Sequence, residues 1–409
     1  MSEEKNETTM GGDPQAEGGA ALLAERRSKR TAALYGSDQA DTARPPVITD
    51  EAPTKKPDSI MTRRWRKFKS LKRGYYSFIL LIFLYVVSFF LPLIVNDKPL
   101  MVSYGGETYF PAFADLVGET YYPWELFGHE GDQSDTDFAE LRAEWDASGS
   151  DEGSMVGTLY PWDPFVGDYE EGVPPNAPSG RHWLGTDNGG RDVLARMLYG
   201  FNISISFGLG LTILTFILGT FFGALMGYFG GKFDLFFQRG IEIGQVLPGL
   251  YVIIIVSSIM APNFFTLILI LTAFGWTGMT YFMRGEFYRE KAKDYVAAAT
   301  SLGTKDSKII FRHILPNSLT PLIATFPFAV VAGITSLVSL DFLGYGLAPP
   351  TPSWGEMISQ GTTEFSGNFQ NWWLVIVPTF FMFGTLLMVT FIGEAIREAF
   401  DPKVFSRLR

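Results

Sequence analysis

Six stretches of the chain are apolar and carry no charged side chain, and they constrain its fold more than any other feature. They cover residues 75–95, 203–228, 246–260, 264–282, 319–340 and 372–392. A helix needs about 20 apolar residues to cross roughly 30 Å of hydrocarbon. Backbone polar groups find no water there, so a spanning segment satisfies them internally as a helix. The 246–260 stretch is the shortest, and the residues just before it extend it. Six such runs do not fit inside one soluble core. The expectation is an all-α integral membrane protein with six transmembrane helices and a large external loop between the first and second.

Charge distribution sets the orientation. The net charge of −10 is a poor guide because the charges are segregated. Residues 62–73, TRRWRKFKSLKR, hold seven basic side chains directly before the first span. That placement reads as a topological and anionic-lipid signal rather than a nucleic-acid patch, so the N-terminus is placed inside. Residues 96–196 contain 20 Asp or Glu against five Lys or Arg, and 341–371 contain no Lys or Arg. Both suit the outside. Residues 284–312 carry seven Lys or Arg, and the tail after 392 carries Arg397, Lys403, Arg407 and Arg409. Both suit the inside, and the topology is N-in, C-in. The aromatic and Pro-rich 96–196 segment reads as a small ordered cap. Its acidity would draw cationic solutes.

The most elaborate polar loop is 294–317, DYVAAATSLGTKDSKIIFRHILPN. Tyr295, Ala298 or Ala299, and Leu302 recur at helical spacing, and Gly303 suits a C-terminal cap. Thr304 is the expected N-cap of a second short helix carrying Ile309, Ile310, Ile314 and Leu315. Pro316 is expected to close the unit.

Several kinds of chemistry are missing. There is no cysteine, no GxxxxGK[ST] loop and no HExxH. The three histidines, His129, His182 and His313, are far apart and read as single-partner side chains. The spans lack ionisable groups, which argues against ion coupling or an intramembrane hydrolase. A conduit driven from elsewhere fits better. Gly208, Gly210, Gly219 and Gly223 suit close helix packing, while Pro248, Pro321, Pro327 and Pro378 suit bends. Residues 1–59 read as a disordered tail, with a possible short helix at 20–33.

The 294–317 stretch resembles the cytoplasmic loop of ABC importer permeases: EAA, three residues, Gly, nine residues, then I-x-L-P. Ala298, Ala299, Gly303, Leu315 and Pro316 fall in register. Ala297 stands in place of the acid and His313 in place of the isoleucine. Two further stretches resemble the dipeptide/oligopeptide/nickel branch: 182–200, HWLGTDNGGRDVLARMLYG, and 340–361, LDFLGYGLAPPTPSWGEMISQG. Within them Gly185, Thr186, Asp187, Arg191 and Asp192 read as a turn and cap leading into a helix. Pro352, Ser353, Trp354 and Gly355 read as a tight external turn with Trp354 at headgroup level. NDKPL at 96–100, the long external loop, SLDFLGYGL at 339–347 and FIGEAIREAFDP at 391–402 bring the chain nearest to the Yej-type E-subunit permeases. The resemblance spans roughly 62–403.

The resemblance implies a type I ABC importer permease fold in the bacterial inner membrane, multi-pass. It divides the chain into a tail (1–61), a basic segment with span one (62–95), the external cap (96–198), the permease domain (199–396) and a cytoplasmic C-terminal tail (397–409). It implies an ATPase-coupling loop formed by Tyr295, Ala298, Ala299, Gly303, Asp306, His313, Leu315 and Pro316. The implied partners are a second permease subunit in a heterodimer, ABC ATPase subunits, a periplasmic peptide-binding protein and membrane lipid. The implied substrate is oligopeptide, microcin-type peptide antibiotics included. No cofactor is expected on this chain, with ATP and Mg on the partner ATPase, and no catalysis and no metal site. The alternatives are a permease for another solute such as nickel, or an ATP-independent channel or membrane enzyme. Buried His or carboxylate ligands would favour nickel, and failure to co-purify with a nucleotide-binding subunit would favour the channel or enzyme.

Overall fold

The computed structural model describes residues 59–118, 121–148, 153–260, 262–365 and 371–401. The expectations for 1–58, including the short helix at 20–33, and for 402–409 lie outside the described residues.

The chain enters through α1 (Ile60–Ser70) and α2 (Lys72–Ser88), bent by 94° at Leu71. The basic segment is thus a helix of its own, set across the apolar one. Phe68 anchors it by packing on Ala395 and Ala399. Helix α2 stops seven residues before the expected end of the first span. A short 3-10 turn, Leu91–Leu93, follows it around Pro92.

The cap corrects the all-α expectation, for it contains a three-stranded antiparallel sheet. The strands are β1 (Met101–Tyr104), β2 (Glu107–Tyr109) and β3 (Gly153–Val156), in the order β2-β1-β3. Val102 lies opposite Tyr109 on one side and Met155 on the other. Gly105 and Gly106 both have positive φ, 59° and 84°. A two-residue hairpin turn whose twist matches the strands requires this. Helices α3 (Pro111–Val117) and α4 (Phe138–Ser148) complete the unit. Its core is Val102, Trp124, Phe127, Phe138 and Leu141, with Tyr104 stacked on Trp145 at 5.8 Å.

The bundle consists of α5 (Val193–Phe229), α6 (Gly231–Val246), α7 (Gly249–Ile259), α8 (Phe264–Lys291), α9 (Asp294–Ser301), α10 (Asp306–Phe342), α11 (Trp354–Phe365) and α12 (Trp373–Phe400). Four of these, α5, α8, α10 and α12, are long and apolar enough to cross a membrane. The bent pairs α1–α2 and α6–α7 bring the count to as many as six. The expected third span falls on α7, which has 11 residues, about 16 Å of rise, and needs the preceding residues to extend it. It covers a membrane only together with α6, from which it bends by 62°. Pro248 sits at that break as the N-cap of α7, where its missing N–H leaves no bond unmade.

Small residues set the helix spacing. A Cβ on Gly219 would lie 2.5 Å from the Met279 Cβ, one on Gly223 2.6 Å from the Thr280 carbonyl, and one on Gly227 2.6 Å from the Phe287 Cβ. At a spacing of four these form one face of α5, pressed against α8. Gly208 faces α10 in the same way, against Val330 and Ile334. The bundle has two packed ends. Near the cap, Val193, Met197 and Phe201 meet Val338, Trp354, Met357 and Trp373. At the opposite end, Phe216, Tyr228, Met283 and Phe287 meet Val296, Ala299, Ile309, Ile310 and Ile314.

Candidate coupling loop and cap joint

The 294–317 loop is a rigid two-faced element. Helix α9 ends in a full Schellman cap: Gly303 N–H donates to Thr300 O at 2.9 Å, and Thr304 N–H to Ala299 O at 3.1 Å. Gly303 takes φ +70°, as the expected cap requires. The N-cap of the following helix is Lys305, not Thr304. Pro316 does not close the unit either. It stands at the head of the long Leu315–Phe342 run, and α10 passes through it. A π-helical stretch, Ile309–Ile314, lies directly ahead. In a regular α-helix the Pro316 ring would clash with the Arg312 carbonyl, and a wider turn relieves this.

The buried face is Val296, Ala299, Ile309, Ile310 and Ile314, packed on α5 and α8. Leu315 packs beside them. Leu302, which shares a helical spacing with Tyr295 and Ala298 or Ala299, is 86% exposed, as Ala298 and Gly303 are also exposed. Phe311, which the sequence reading missed, is 62% exposed there too. Its signal was visible as an aromatic residue out of phase with Ile309, Ile310 and Ile314.

Polar bonds fix the loop to the bundle. Asp306 accepts from the Tyr228 hydroxyl at 2.5 Å. Lys291 Nζ donates to the Tyr228 carbonyl and lies over its ring. Buried Glu290 accepts from Lys293 at 2.6 Å and from the Tyr295 hydroxyl at 2.9 Å. Asn317 Nδ2 donates to the His313 carbonyl at 2.9 Å and approaches the Tyr295 hydroxyl at 3.4 Å. With Ala297 in the expected acid position, Glu290 supplies the buried carboxylate that orients Tyr295.

At the other end, the remaining sequence-predicted residues converge, but as a buried joint. Asp187 is fully buried. It accepts from Gly189 N–H and Arg191 N–H at 2.9 and 3.0 Å, and its other oxygen pairs with Arg191. Arg196, also fully buried, donates to Glu356 at 2.5 Å and to the carbonyls of Pro164 and Pro350 at 3.0 Å, with Asp187 at 3.3 Å. The Thr186 carbonyl accepts from Trp373 Nε1 at 3.1 Å. Gly185 has φ +77°, and a Cβ there would meet the Asn176 carbonyl at 2.7 Å.

Trp354 requires the largest correction. It is fully buried, and its Nε1 donates to the Met197 carbonyl at 3.1 Å. Its ring is packed inside the protein and is not exposed as an interfacial anchor would be. Pro352, Ser353 and Gly355 are buried beside it and open α11 in place of an exposed turn. Ser353 Oγ donates to Asp341 at 2.5 Å, and a Cβ on Gly355 would lie 2.2 Å from the Val338 carbonyl. These residues cannot themselves touch a docked partner. The exposed apolar side chains of the cap segment include Leu159, Val166, Tyr169, Val173 and Trp183.

Asp192 is the N-cap of α5, accepting from Ala195 N–H at 2.7 Å. It also accepts from the Tyr160 hydroxyl at 2.8 Å and from His182 Nδ1 at 2.9 Å. His182 Nε2 lies 3.1 Å from Asp168. The single-partner reading of His182 is therefore corrected to two carboxylate partners, neither near it in sequence. Burial alone would lower the His182 pKa, but its bonds to Asp192 and Asp168 outweigh burial and raise it above the ordinary value.

A bundle of membrane-crossing helices, keyed at one end to a two-faced polar loop and at the other to an acidic cap, is the architecture of a membrane translocator subunit. The model of the binding-protein-dependent transport system inner membrane component matches residues 219–406, which include the whole loop. The chain is 41% identical to the peptidoglycan transport system permease protein YejE of Agrobacterium fabrum over 362 residues, 83% of this chain and 92% of that one. It is 40% identical to the inner membrane ABC transporter permease protein YejE of Escherichia coli, over 83% and 96%. It is 37% identical to the dipeptide transport system permease protein DppC of Bacillus subtilis, over 58% and 72%. The chain belongs to the binding-protein-dependent ABC importer permeases. It is a multi-pass inner-membrane subunit, non-catalytic, with ATP hydrolysis on a separate protein.

Proposed function

We propose that the chain is one of two permeases forming a path for oligopeptides, driven through the 294–317 loop by an ATPase. The observation that carries this reading is the division of that loop. Ile309, Ile310 and Ile314 are buried in the bundle, while Leu302 and Phe311 project from it. A force on the projecting face is passed to α5, α8 and α10 without slack, since packed interiors are stiff. In this reading the topology is six spans, N-in and C-in. The loop lies in the cytoplasm, where the ATPase subunits hold ATP and Mg. The cap faces a peptide-binding protein and offers it Leu159, Tyr169, Val173 and Trp183. Tyr295, Ala298, Ala299, Gly303, Asp306, His313, Leu315 and Pro316 belong to the coupling unit as its frame or its face. Peptide as substrate is supported by the similar proteins, which are named for the transport of peptidoglycan, dipeptide and oligopeptide.

Purification through this chain tests the reading. An ABC ATPase and a second permease are expected to co-purify, with ATPase activity stimulated by loaded binding protein. Assembly and peptide uptake unaffected by Gly303→Asp would overturn the coupling assignment. Docking of binding protein unaffected by removal of residues 100–180 would overturn the role given to the cap.

A further inference from the structure

Hydroxyls in the spans commonly bond to a carbonyl of their own helix: Thr215 to Leu211, Thr280 to Trp276, Thr335 to Val331, Ser336 to Ala332 and Thr385 to Phe381. Among the described residues Thr212, Thr220 and Thr272 depart from this, each with a buried hydroxyl that has no hydrogen-bond partner. A hydroxyl buried without a partner is destabilising, and the more so where the surroundings are apolar. Thr212 is set apart from the other two by its position. It is 2% exposed and lines a crevice of about 460 Å³ where α5, α8 and α10 meet.

The chemistry of the crevice is specific. Its other walls include Phe216, Phe274, Gly275, Gly333 and Ser336, and no charged side chain lines it. The volume far exceeds the ~30 Å³ share of one water. Gly275 and Gly333 bring α8 and α10 close to α5, a Cβ on them lying 3.2 Å from Thr215 Cγ2 and 3.1 Å from Gly208 Cα, and the rings of Phe216 and Phe274 bound the crevice. Its polar side chains are three hydroxyls; those of Thr215 and Ser336 already donate within their own helices and can only accept further, and Thr212 alone keeps both capacities. A cation or an anion would enter such a site uncompensated. A peptide main chain suits it, since each residue other than proline carries one donor and one acceptor whatever its side chain.

We propose that this crevice holds the main chain of the translocating peptide, with Thr212 Oγ1 as its hydrogen-bond partner. The inference rests on the peptide reading given above and adds to it a contact that is blind to side-chain sequence. Thr212→Val keeps the shape and removes only a hydroxyl that lacks a partner in the empty protein. The fold is therefore expected to be unharmed, and a purely structural Thr212 predicts no loss of transport.

The test uses the whole complex, purified through this chain and reconstituted in proteoliposomes with its binding protein. Import of an alanine tripeptide and of a charged tripeptide is compared for the unmodified, Thr212→Val, Thr212→Ser and Thr335→Val complexes. Thr335 is exposed and bonded to its own helix, so it serves as the control. Thr212→Val is expected to slow import of both peptides by about two- to tenfold, the worth of one hydrogen bond. Thr212→Ser and Thr335→Val are expected to leave import near the unmodified rate. Equal import by Thr212→Val and unmodified complexes overturns the inference and leaves the peptide reading intact. Loss of the second permease from Thr212→Val preparations also overturns it, since the crevice would then be filled by a partner helix. Absence of peptide import by the unmodified complex overturns the peptide reading itself.

Discussion

The Tyr228 hydroxyl donates to the Asp306 carboxylate at 2.5 Å, tying the last turn of α5 to the first turn of α10 across the coupling loop. The two residues lie 78 positions apart, so the bond closes a long excursion of chain at the base of the loop. Tyr228 is buried and Asp306 exposed. Tyr228→Phe keeps the packing and removes the bond. For a hydrogen bond to a partly solvated charge the expected destabilisation is about 1 kcal/mol. Hydrogen exchange at residues 302–308 should speed up while the rest of the bundle keeps its protection. Unchanged protection there would mean that the apolar face of the loop suffices to hold it.

Leu302 and Phe311 are both exposed on that loop, by 86% and 62% among the described residues. Substitution at exposed positions away from packing usually moves stability by no more than about 0.5 kcal/mol. Leu302→Asp and Phe311→Asp should therefore fold and insert normally. If the two side chains anchor the ATPase, each change should cost about 2 kcal/mol of binding or more, roughly 30-fold in affinity. Titration of purified ATPase subunit against the detergent-solubilised permease measures it directly. Wild-type affinity in both variants would move the docking face elsewhere.

The difference between those two residues and Trp354 shows what was legible in the sequence. Charge-free runs announce helices because lipid forbids any other backbone, and all six runs fall largely in helices, although the first leaves its helix after Ser88 and the third is broken at Leu247 and Pro248. Gly303 was legible because a left-handed cap has few residue choices. The inward face of α9 was not, since Leu302 and Val296 are both apolar and only the packing of α5 decides between them. Trp354, two residues after Pro352, reads as an interfacial anchor until Met197, 157 residues away, supplies its hydrogen-bond acceptor. The partners of His182 lie 14 residues before it and 10 after it. No local spacing brings them together. That takes the fold of the whole 160–192 segment.

His182 makes the cap joint sensitive to pH. Its two ring nitrogens face Asp192 and Asp168, both of which accept, so the bonded form is the imidazolium. Arg181 and the Tyr160 hydroxyl share those carboxylates. The folded pKa is raised above the unfolded value near 6.5. Stability from this group is therefore fully present below about pH 6.5 and is lost as pH rises through the folded pKa. Unfolding temperature, measured in detergent from the acid side upward, should fall across that window. His182→Gln should start lower and lose this part of the slope. An identical slope in the variant would assign the dependence to other groups.

Trp354 and Gly355 test the buried joint from opposite directions. Trp354→Ala opens a cavity between α5, α11 and α12 and strands the Met197 carbonyl, and large-to-small changes of this kind cost about 3–5 kcal/mol. Gly355→Ala does the reverse, driving a methyl to 2.2 Å from the Val338 carbonyl, where backbone has to shift at about 1–3 kcal/mol. Both variants should lower the unfolding temperature and the yield of folded permease, Trp354→Ala the more. Trp354→Phe keeps most of the ring volume and should fall between Trp354→Ala and the unmodified chain. A tryptophan lying in the headgroup layer would give a different order, with Trp354→Ala mild and Gly355→Ala neutral. Fluorescence quenching separates the two cases as well. A Trp354 closed off by Met197 and Phe201 should resist both aqueous and lipid-borne quenchers, judged by the signal that disappears in Trp354→Phe.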